Sequence, residues 1–148
     1  MMLKIKDYTP ESSIPASEKE KLIDFLYEHL DEFGDPREHI ENCVDFALKE
    51  WDSFGGFVLM GYHEANLVGA VVINKTGMKG YIPENILVYI AVHQDFRGKG
   101  FGKQLMEKAH KMADGNMKLH VEPDNPARYL YEKMGYTNKY LEMRWNKD

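Results

Sequence analysis

The chain of 148 residues is predicted to fold as an α/β (α+β) protein, and three observations support this class. Segments with alternating or continuous apolar residues, which are typical of strands, interchange with segments whose apolar residues recur every three or four positions, as in helices. Glycine and proline separate these segments. There is no internal repeat or low-complexity stretch, so we expect a single domain over residues 1–148.

The first half of the chain is predicted to contain one strand, two helices and a hairpin. Ser17 and Glu20 form an S-x-x-E capping box at the start of the first helix, and Pro36 favours the start of the second. The Gly55-Gly56 pair then ends the helical pattern. The predicted elements are a strand at 3–8, a helix from 17 to about 29, a helix that begins at 35–36, and strands at 57–62 and 67–74 joined by a tight turn.

The second half is predicted to alternate strands with helices. An apolar strand ends at Val92, Gly115 ends the helix that follows, and Asn125-Pro126 starts a short helix. The predicted elements are a strand at 86–92, a helix at about 102–113, a strand at 118–122, a helix ending at 135 and a last strand at about 140–145. The whole order is therefore β-α-α-β-β-β-α-β-α-β.

A glycine-rich turn between strand 86–92 and the next helix indicates an anion site. Gly98, Gly100 and Gly102 leave no side chains between an anion and the backbone amides at the positive end of a helix dipole. Three basic side chains surround the turn: Arg97, Lys99 and Lys103. We therefore expect this turn to bind phosphate.

Two known phosphate motifs fit this turn poorly. The nucleotide-hydrolase loop G-x-x-x-x-G-K-[ST] has Arg97 in place of its first glycine and Gln104 in place of its hydroxyl residue. The dinucleotide fingerprint G-x-G-x-x-G has Lys103 at its last position, although Glu122 mimics the ribose-binding acid. A nucleotide-binding domain, which would prefer NAD or ATP, remains a remote alternative.

The pattern R-x-x-G-x-G at residues 97–102, after a strand ending Ile-Ala-Val, resembles the acetyl-coenzyme-A motif of the GNAT superfamily of N-acetyltransferases. Residues 125–136, with the sequence N-P-A-R-Y-L-Y-E-K-M-G-Y, resemble a later family segment, N-x-A-x-x-L-Y-E-K-x-G-F. The resemblance is specific from Ile86 to Tyr136. It implies a GNAT-like mixed central sheet flanked by helices, whose parallel strands ending at Val92 and Glu122 splay apart around the pantetheine arm.

The resemblance also implies which residues bind acetyl-CoA as co-substrate. The amides of the turn hold the pyrophosphate, the backbone before the turn pairs with pantetheine like an added strand, and Asn125 contacts the coenzyme or simply caps its helix. The coenzyme-binding candidates are Ile90, Ala91, Val92, Arg97, Gly98, Lys99, Gly100, Phe101, Gly102, Lys103 and Asn125.

Three residues are catalytic candidates. Tyr131 matches the family tyrosine that protonates the departing thiolate, and the spacing L-Y-E-K favours it over Tyr129. His120 stands where some members carry a glutamate base, and it could accept a proton near neutral pH. Glu84 is a second candidate base, with a plain loop carboxylate as its alternative. A base is unnecessary if the amine arrives neutral.

Composition restricts partners and location. The net charge of −5, from 19 basic and 24 acidic residues, argues against nucleic acid, and no apolar run is long enough for a membrane span. The N-terminus lacks the apolar core of a signal peptide, so a cytoplasmic location is expected. The single cysteine, Cys43, is predicted to be a buried thiol, and no metal-ligand spacing links the six histidines, so no metal is expected.

The leading interpretation is an acetyl-CoA-dependent N-acetyltransferase (an acyltransferase) that acetylates a primary amine by direct attack in a ternary complex. The acceptor is a small-molecule amine or a peptide or protein amine. Acidic residues at positions 28–41 would attract a cationic amine, although a solvated helix face explains them as well. The resemblance allows a homodimer. The alternative is a GNAT-fold module that binds acyl-CoA as a sensor or interaction surface without turnover.

Overall fold

A computed structural model describes residues 2–148 and contains a five-stranded sheet with helices on both faces. The elements are β1 (Lys4–Tyr8), α1 (Ala16–His29), α2 (Arg37–Leu48), β2 (Gly56–His63), β3 (Asn66–Lys75), β4 (Asn85–Val92), α3 (Phe101–Met112), β5 (Met117–Leu119) and α4 (Ala127–Lys133). Two 3₁₀ turns, Asp31–Phe33 and Gln94–Phe96, follow α1 and β4. The predicted α/β class is confirmed.

The strands lie in the order β1-β2-β3-β4-β5. The first four pair antiparallel, and β4 pairs parallel with β5, so the sheet is mixed as the family resemblance implies. The β2–β3 hairpin turns at Glu64, whose φ of 58° is left-handed. Because β2, β3 and β4 alternate in direction, the start of β4 and the end of β3 lie at one end of the sheet, and the glycine-rich turn lies at the other.

Two apolar clusters hold helices on the two faces of the sheet. One joins α1 and α2 to the sheet through fully buried residues such as Leu22, Ile40 and Val58. The other joins α3 and α4 to the opposite face through Phe101 and Leu105. Each such side chain contributes roughly 1.5–3 kcal/mol when it is fully buried. Of the helices within residues 2–148, none combines the length and the apolar content that a membrane span requires.

The start of α1 differs from the prediction. The helix begins at Ala16, and Pro15 occupies the N-cap position without a side-chain hydrogen bond. Ser17 therefore lies inside the first turn, and Glu20 accepts a 2.7 Å hydrogen bond from Arg37 on the surface. The predicted capping box is therefore wrong. Proline is well suited to the start of a helix, because the N–H that it lacks would have no partner within the helix at that position.

The predicted last strand at 140–145 is not formed, and the predicted strand at 118–122 is shorter than expected. β5 ends at Leu119, and residues 140–145 pair with no strand within residues 2–148. The alternating side chains Leu141, Met143 and Trp145 are 83–88% exposed. The observed order therefore ends at α4.

Candidate active site

The site is a cleft that opens where β4 and β5 separate. Parallel pairing covers only 85–87 of β4 and 117–119 of β5. Beyond it, β4 continues to Val92 along β3 alone, so its other edge carries unpaired backbone groups. Such an edge accepts an extended partner by strand addition, which suits a pantetheine arm. Ile90, Ala91 and Val92, which the sequence assigned to coenzyme binding, all lie on this edge.

A β-bulge marks the point at which the cleft opens. Val72 pairs with Tyr89 and Ile73 pairs with Leu87, which leaves Val88 as an extra residue in β4. Leu87 packs in the α3/α4 cluster, whereas Tyr89 packs in the α1/α2 cluster. The bulge therefore changes which face each side chain of β4 occupies. No pattern in the sequence indicated it, because a bulge adds a residue without breaking the apolar run.

The glycine-rich turn is open and left-handed at two positions. Gly98 and Gly100 have φ values of 78° and 82°, and a Cβ added to either would meet no atom within 4 Å. Gly100 is the N-cap of α3, so the first amides of this helix have no intrahelical partners and face the open turn. This is the geometry of an anion site formed by backbone N–H groups.

The side chain of Arg97 makes its hydrogen bonds to other residues of the chain. Its Nε donates to the Val92 carbonyl at 3.0 Å, and one Nη donates to the His29 carbonyl and the Asp31 carboxylate, both at 3.1 Å. Arg97 therefore ties the turn to the end of α1. Lys99 and Lys103 are exposed beside the turn, where their charges face solvent.

Two residues of the turn can contribute only backbone groups. Phe101 is 1% exposed and packs in the α3/α4 cluster. A Cβ on Gly102 would lie 3.1 Å from Leu130 Cδ2, because the first turn of α3 packs closely against α4. Gly102 thus serves helix packing, and the open part of the turn is at Gly98 and Gly100.

Tyr131 lies on the α3/α4 side of the cleft. It is 7% exposed and shares a cluster with Ile90 and Val92 of β4 and with Leu119. Its hydroxyl makes no hydrogen bond within residues 2–148. The oxygen is not among the fully buried polar atoms that lack a partner, so it keeps some contact with solvent. Burial raises the pKa of Tyr131 to about 12, so the hydroxyl keeps its proton at neutral pH. Tyr129, by contrast, is 69% exposed.

Asn125 uses its side-chain oxygen within the chain. Oδ1 accepts a 2.9 Å hydrogen bond from the Ala127 amide, as expected of a residue that orders the start of α4. The Nδ2 group stays available to a ligand. The two roles suggested by the sequence are therefore compatible.

The two candidate bases differ sharply. Glu84 accepts hydrogen bonds from the amides of Asn116 at 2.7 Å and Gly80 at 3.1 Å, and these bonds lower the pKa of Glu84. A carboxylate held in this way is a poor proton acceptor. His120 follows β5, is exposed, and has Nδ1 4.0 Å from Glu142 of the C-terminal segment. Leu119 beside it packs in the α3/α4 cluster.

A pair of residues on the other side of the cleft could not be predicted from the sequence. The buried Tyr89 donates its hydroxyl proton to Asp35 Oδ2 in the connection between α1 and α2. The two residues are 54 positions apart, so only the fold brings them together. Cys43, by contrast, is the buried thiol that the sequence predicted, and burial raises its pKa to about 12.

A cavity of about 350 Å³ lies away from these residues. Its lining includes Gly56 at the start of β2, Lys75 at the end of β3 and Met112 at the end of α3. These positions are at the end of the sheet opposite the glycine-rich turn. The cavity is therefore separate from the cleft.

Comparisons with known proteins agree with this geometry. The family described as "Acetyltransferase (GNAT) domain" matches residues 55–138. An acetyltransferase of Yersinia enterocolitica is 31% identical over 128 residues, which cover 81% of this chain and 82% of that protein. A 5-NmdU N-acetyltransferase of Pseudomonas phage PaMx11 is 34% identical over 86 residues, 55% of this chain and 58% of the phage protein.

Solved structures of similar fold also include N-acetyltransferases. The structure of an aminoglycoside N-acetyltransferase in complex with CoA superposes with a TM-score of 0.70 at 15% identity, over 99% of this chain and 95% of that one. At this identity the likeness concerns the fold. The family match covers more than half of the chain, and it includes the splayed strands, the glycine-rich turn and Tyr131. The chain belongs to the GNAT family of N-acetyltransferases, enzymes that transfer an acetyl group from acetyl-CoA to an amine.

Proposed function

We propose that this enzyme acetylates a primary amine by direct attack on acetyl-CoA in a ternary complex. The amine nitrogen bonds to the thioester carbon, the C–S bond breaks, the amine loses a proton and the CoA thiolate gains one. One observation carries the proposal: Tyr131, which keeps its proton at neutral pH and has no hydrogen-bond partner within residues 2–148, packs in one cluster with Ile90 and Val92 of the open β4 edge.

Coenzyme binding is assigned mainly to backbone groups. The amides at Gly98, Gly100 and the first turn of α3 would hold the pyrophosphate, with the charges of Lys99 and Lys103 nearby. The open edge of β4 would pair with pantetheine. Arg97 contributes by holding the turn in place through Val92 and His29 rather than by direct contact with phosphate.

The thioester carbonyl would be polarised by a backbone amide of β4. A bulge leaves ladder groups unpaired, and the bulge at Val88 lies where β4 separates from β5. An amide that points into the cleft there is in place before the reaction, so it stabilises the developing oxyanion without reorganisation. The buried surroundings strengthen this interaction.

Tyr131 would donate its proton toward the sulfur as the C–S bond breaks. Its pKa of about 12 keeps the donor intact across the whole physiological pH range. Tyr131 is neutral beforehand, so its burial carries no desolvated charge. An acylated-enzyme route is not supported, because the only cysteine, Cys43, is buried and its thiol pKa is raised to about 12.

Proton removal from the amine is assigned to His120, directly or through water, or to solvent alone. Its exposed ring at the end of β5 can exchange protons with water. Glu84 is the weaker candidate because two backbone amides stabilise its ionised form. We expect the protein to work in the cytoplasm, and a homodimer is compatible with the proposal.

The first experiment measures thiol release from acetyl-CoA with polyamines, aminoglycosides, amino acids and N-terminal peptides, alongside calorimetric binding of acetyl-CoA. Turnover with any one class supports the proposal and identifies the acceptor. Binding of acetyl-CoA without turnover on any amine would favour the sensor alternative. Absence of binding would refute the assignment of the glycine-rich turn to the coenzyme.

A further inference from the structure

The face of the cleft opposite Tyr131 carries a second polar pair. Tyr89 follows the bulge at Val88 and turns its side chain toward α1 and α2, where it is 7% exposed. Its hydroxyl donates to Asp35 Oδ2 in the exposed connection between the two helices. Tyr131 lies on the α3/α4 face. The edge of β4 thus has a phenol on one side and a carboxylate on the other.

The partner of Asp35 in this arrangement is a hydroxyl and not a cation. Burial and the hydrogen bond to Asp35 raise the pKa of Tyr89 well above its usual value, so Tyr89 is a neutral donor and brings no positive charge to the carboxylate. Neighbouring acids differ: Asp31 pairs with Arg97 at 3.1 Å, and Asp24 pairs with Arg37 at 2.6 Å. Oδ1 of Asp35 remains available for a further donor.

The charge of Asp35 acts on one cation of the chain, Arg144, whose ion pair is with Glu142. The ion pair with Glu142, and to a smaller extent the charge of Asp35, raises the pKa of Arg144. Glu142 also lies 4.0 Å from His120, so the C-terminal segment reaches the end of β5. Asp35 therefore offers an acceptor whose position is fixed by Tyr89.

We propose that Asp35, fixed by the Tyr89 hydroxyl, binds the ammonium group of the acceptor and restricts this enzyme to cationic amines. The inference rests on the proposed function and specifies its substrate class. An ammonium held at Asp35 lies across β4 from Tyr131. After it loses a proton to His120 or to water, its nitrogen attacks the thioester from the face opposite the proton donor. The rigid Tyr89 ring limits where the carboxylate holds the ammonium.

The test compares Asp35→Asn with wild type on spermidine, kanamycin and benzylamine, which are cations near neutral pH, and on aniline, which is neutral. Loss of a charged hydrogen bond should raise the KM of the cationic amines about 10- to 100-fold. The KM for acetyl-CoA should not change. The wild-type KM should rise with salt, and that rise should be smaller in Asp35→Asn. Tyr89→Phe, which frees the carboxylate to move, should have a smaller effect in the same direction.

Glu38→Gln is the matched control, because Glu38 is an exposed acid in the first turn of α2. Removing the competing cation with Arg144→Gln should lower the KM of the cationic amines. Equal KM values for Asp35→Asn and wild type, or efficient acetylation of aniline, would overturn the proposal. If acetyl-CoA binds and aniline is acetylated but no cationic probe is, the substrate class is wrong and the proposed function stands. If acetyl-CoA does not bind, the proposed function fails and this inference fails with it.

Discussion

Replacing Tyr131 with phenylalanine tests the proposed chemistry most directly. The substitution removes one oxygen from a side chain that is 7% exposed and leaves the ring packing in place. That hydroxyl has no hydrogen-bond partner within residues 2–148, so the free energy of unfolding should change by less than about 0.5 kcal/mol. Any large loss of rate would then reflect chemistry and not misfolding.

The size of the loss follows from the acidity of the two groups. An ordinary thiol has a pKa of about 8.5, so full proton transfer from a phenol with a pKa of about 12 is uphill by roughly 3.5 units, or about 5 kcal/mol. Hydrogen-bond donation to the developing thiolate is the more accessible contribution. A preorganised donor of this kind accounts for about 10²–10³ in kcat, or about 2.7–4 kcal/mol.

The assay follows thiol release from acetyl-CoA at saturating amine in wild type, Tyr131→Phe and Tyr129→Phe. Tyr129 lies in the same helix but is 69% exposed, so its substitution is the matched control and should leave kcat unchanged. The wild-type kcat should show no fall between pH 8 and roughly pH 10, because a phenol with a raised pKa stays protonated there. An unchanged kcat in Tyr131→Phe, with melting temperature preserved, would refute the donor role.

Four further outcomes are expected. Gly100→Ala should weaken acetyl-CoA binding about tenfold, whereas Gly80→Ala, with a similar φ of 79° and open space around it, should cost similar stability and leave binding unchanged; calorimetry compares the two. Hydrogen bonds lower the pKa of Glu84 in the fold, so its ionised form stabilises the protein above the unfolded pKa, and this contribution is lost as the pH falls through the folded pKa. The difference in melting temperature between wild type and Glu84→Gln should therefore shrink in acid, while the activity of Glu84→Gln stays that of wild type. The Cys43 thiol should react with alkylating reagents only after unfolding, which mass spectrometry detects. Trp145, 83% exposed, should be quenched by acrylamide like free tryptophan, and a buried, unquenched Trp145 would restore the predicted last strand.

Much of the fold was predictable because its signals are local. The positive φ values at Gly98 and Gly100 are conformations that glycine adopts freely, and the strand before them and the helix after them fix where the turn lies. Strands β2 and β3 were predicted to within one residue at either end. The segment 140–145 shows the limit of this reasoning. Alternation indicates that a segment could form a strand, but the strand exists only where another offers an edge.

The role of Arg97 shows a second limit. Its position in the family motif suggested a cation for phosphate, and the structure instead gives its guanidinium three acceptors within the chain, at Val92, His29 and Asp31. A planar group with five donors satisfies several oxygens at once, which a lysine would not do. Sequence spacing identified the residue correctly, but the partners of its side chain depend on the end of α1, which lies far away in sequence.

The coenzyme half and the acceptor half of the proposed site therefore differ in how much of each can be predicted from the sequence. The coenzyme half depends on backbone amides and on glycines at fixed spacing, and both are encoded within a few consecutive residues. The acceptor half depends on a contact between Asp35 and Tyr89, 54 positions apart, and on a bulge at Val88 that decides the face on which Tyr89 lies. A one-residue change in that register would move the Tyr89 hydroxyl to the side of Tyr131 and leave Asp35 unsupported. Acceptor preference should consequently respond to substitutions in α1, α2 and their connection, while affinity for acetyl-CoA responds to the turn after β4.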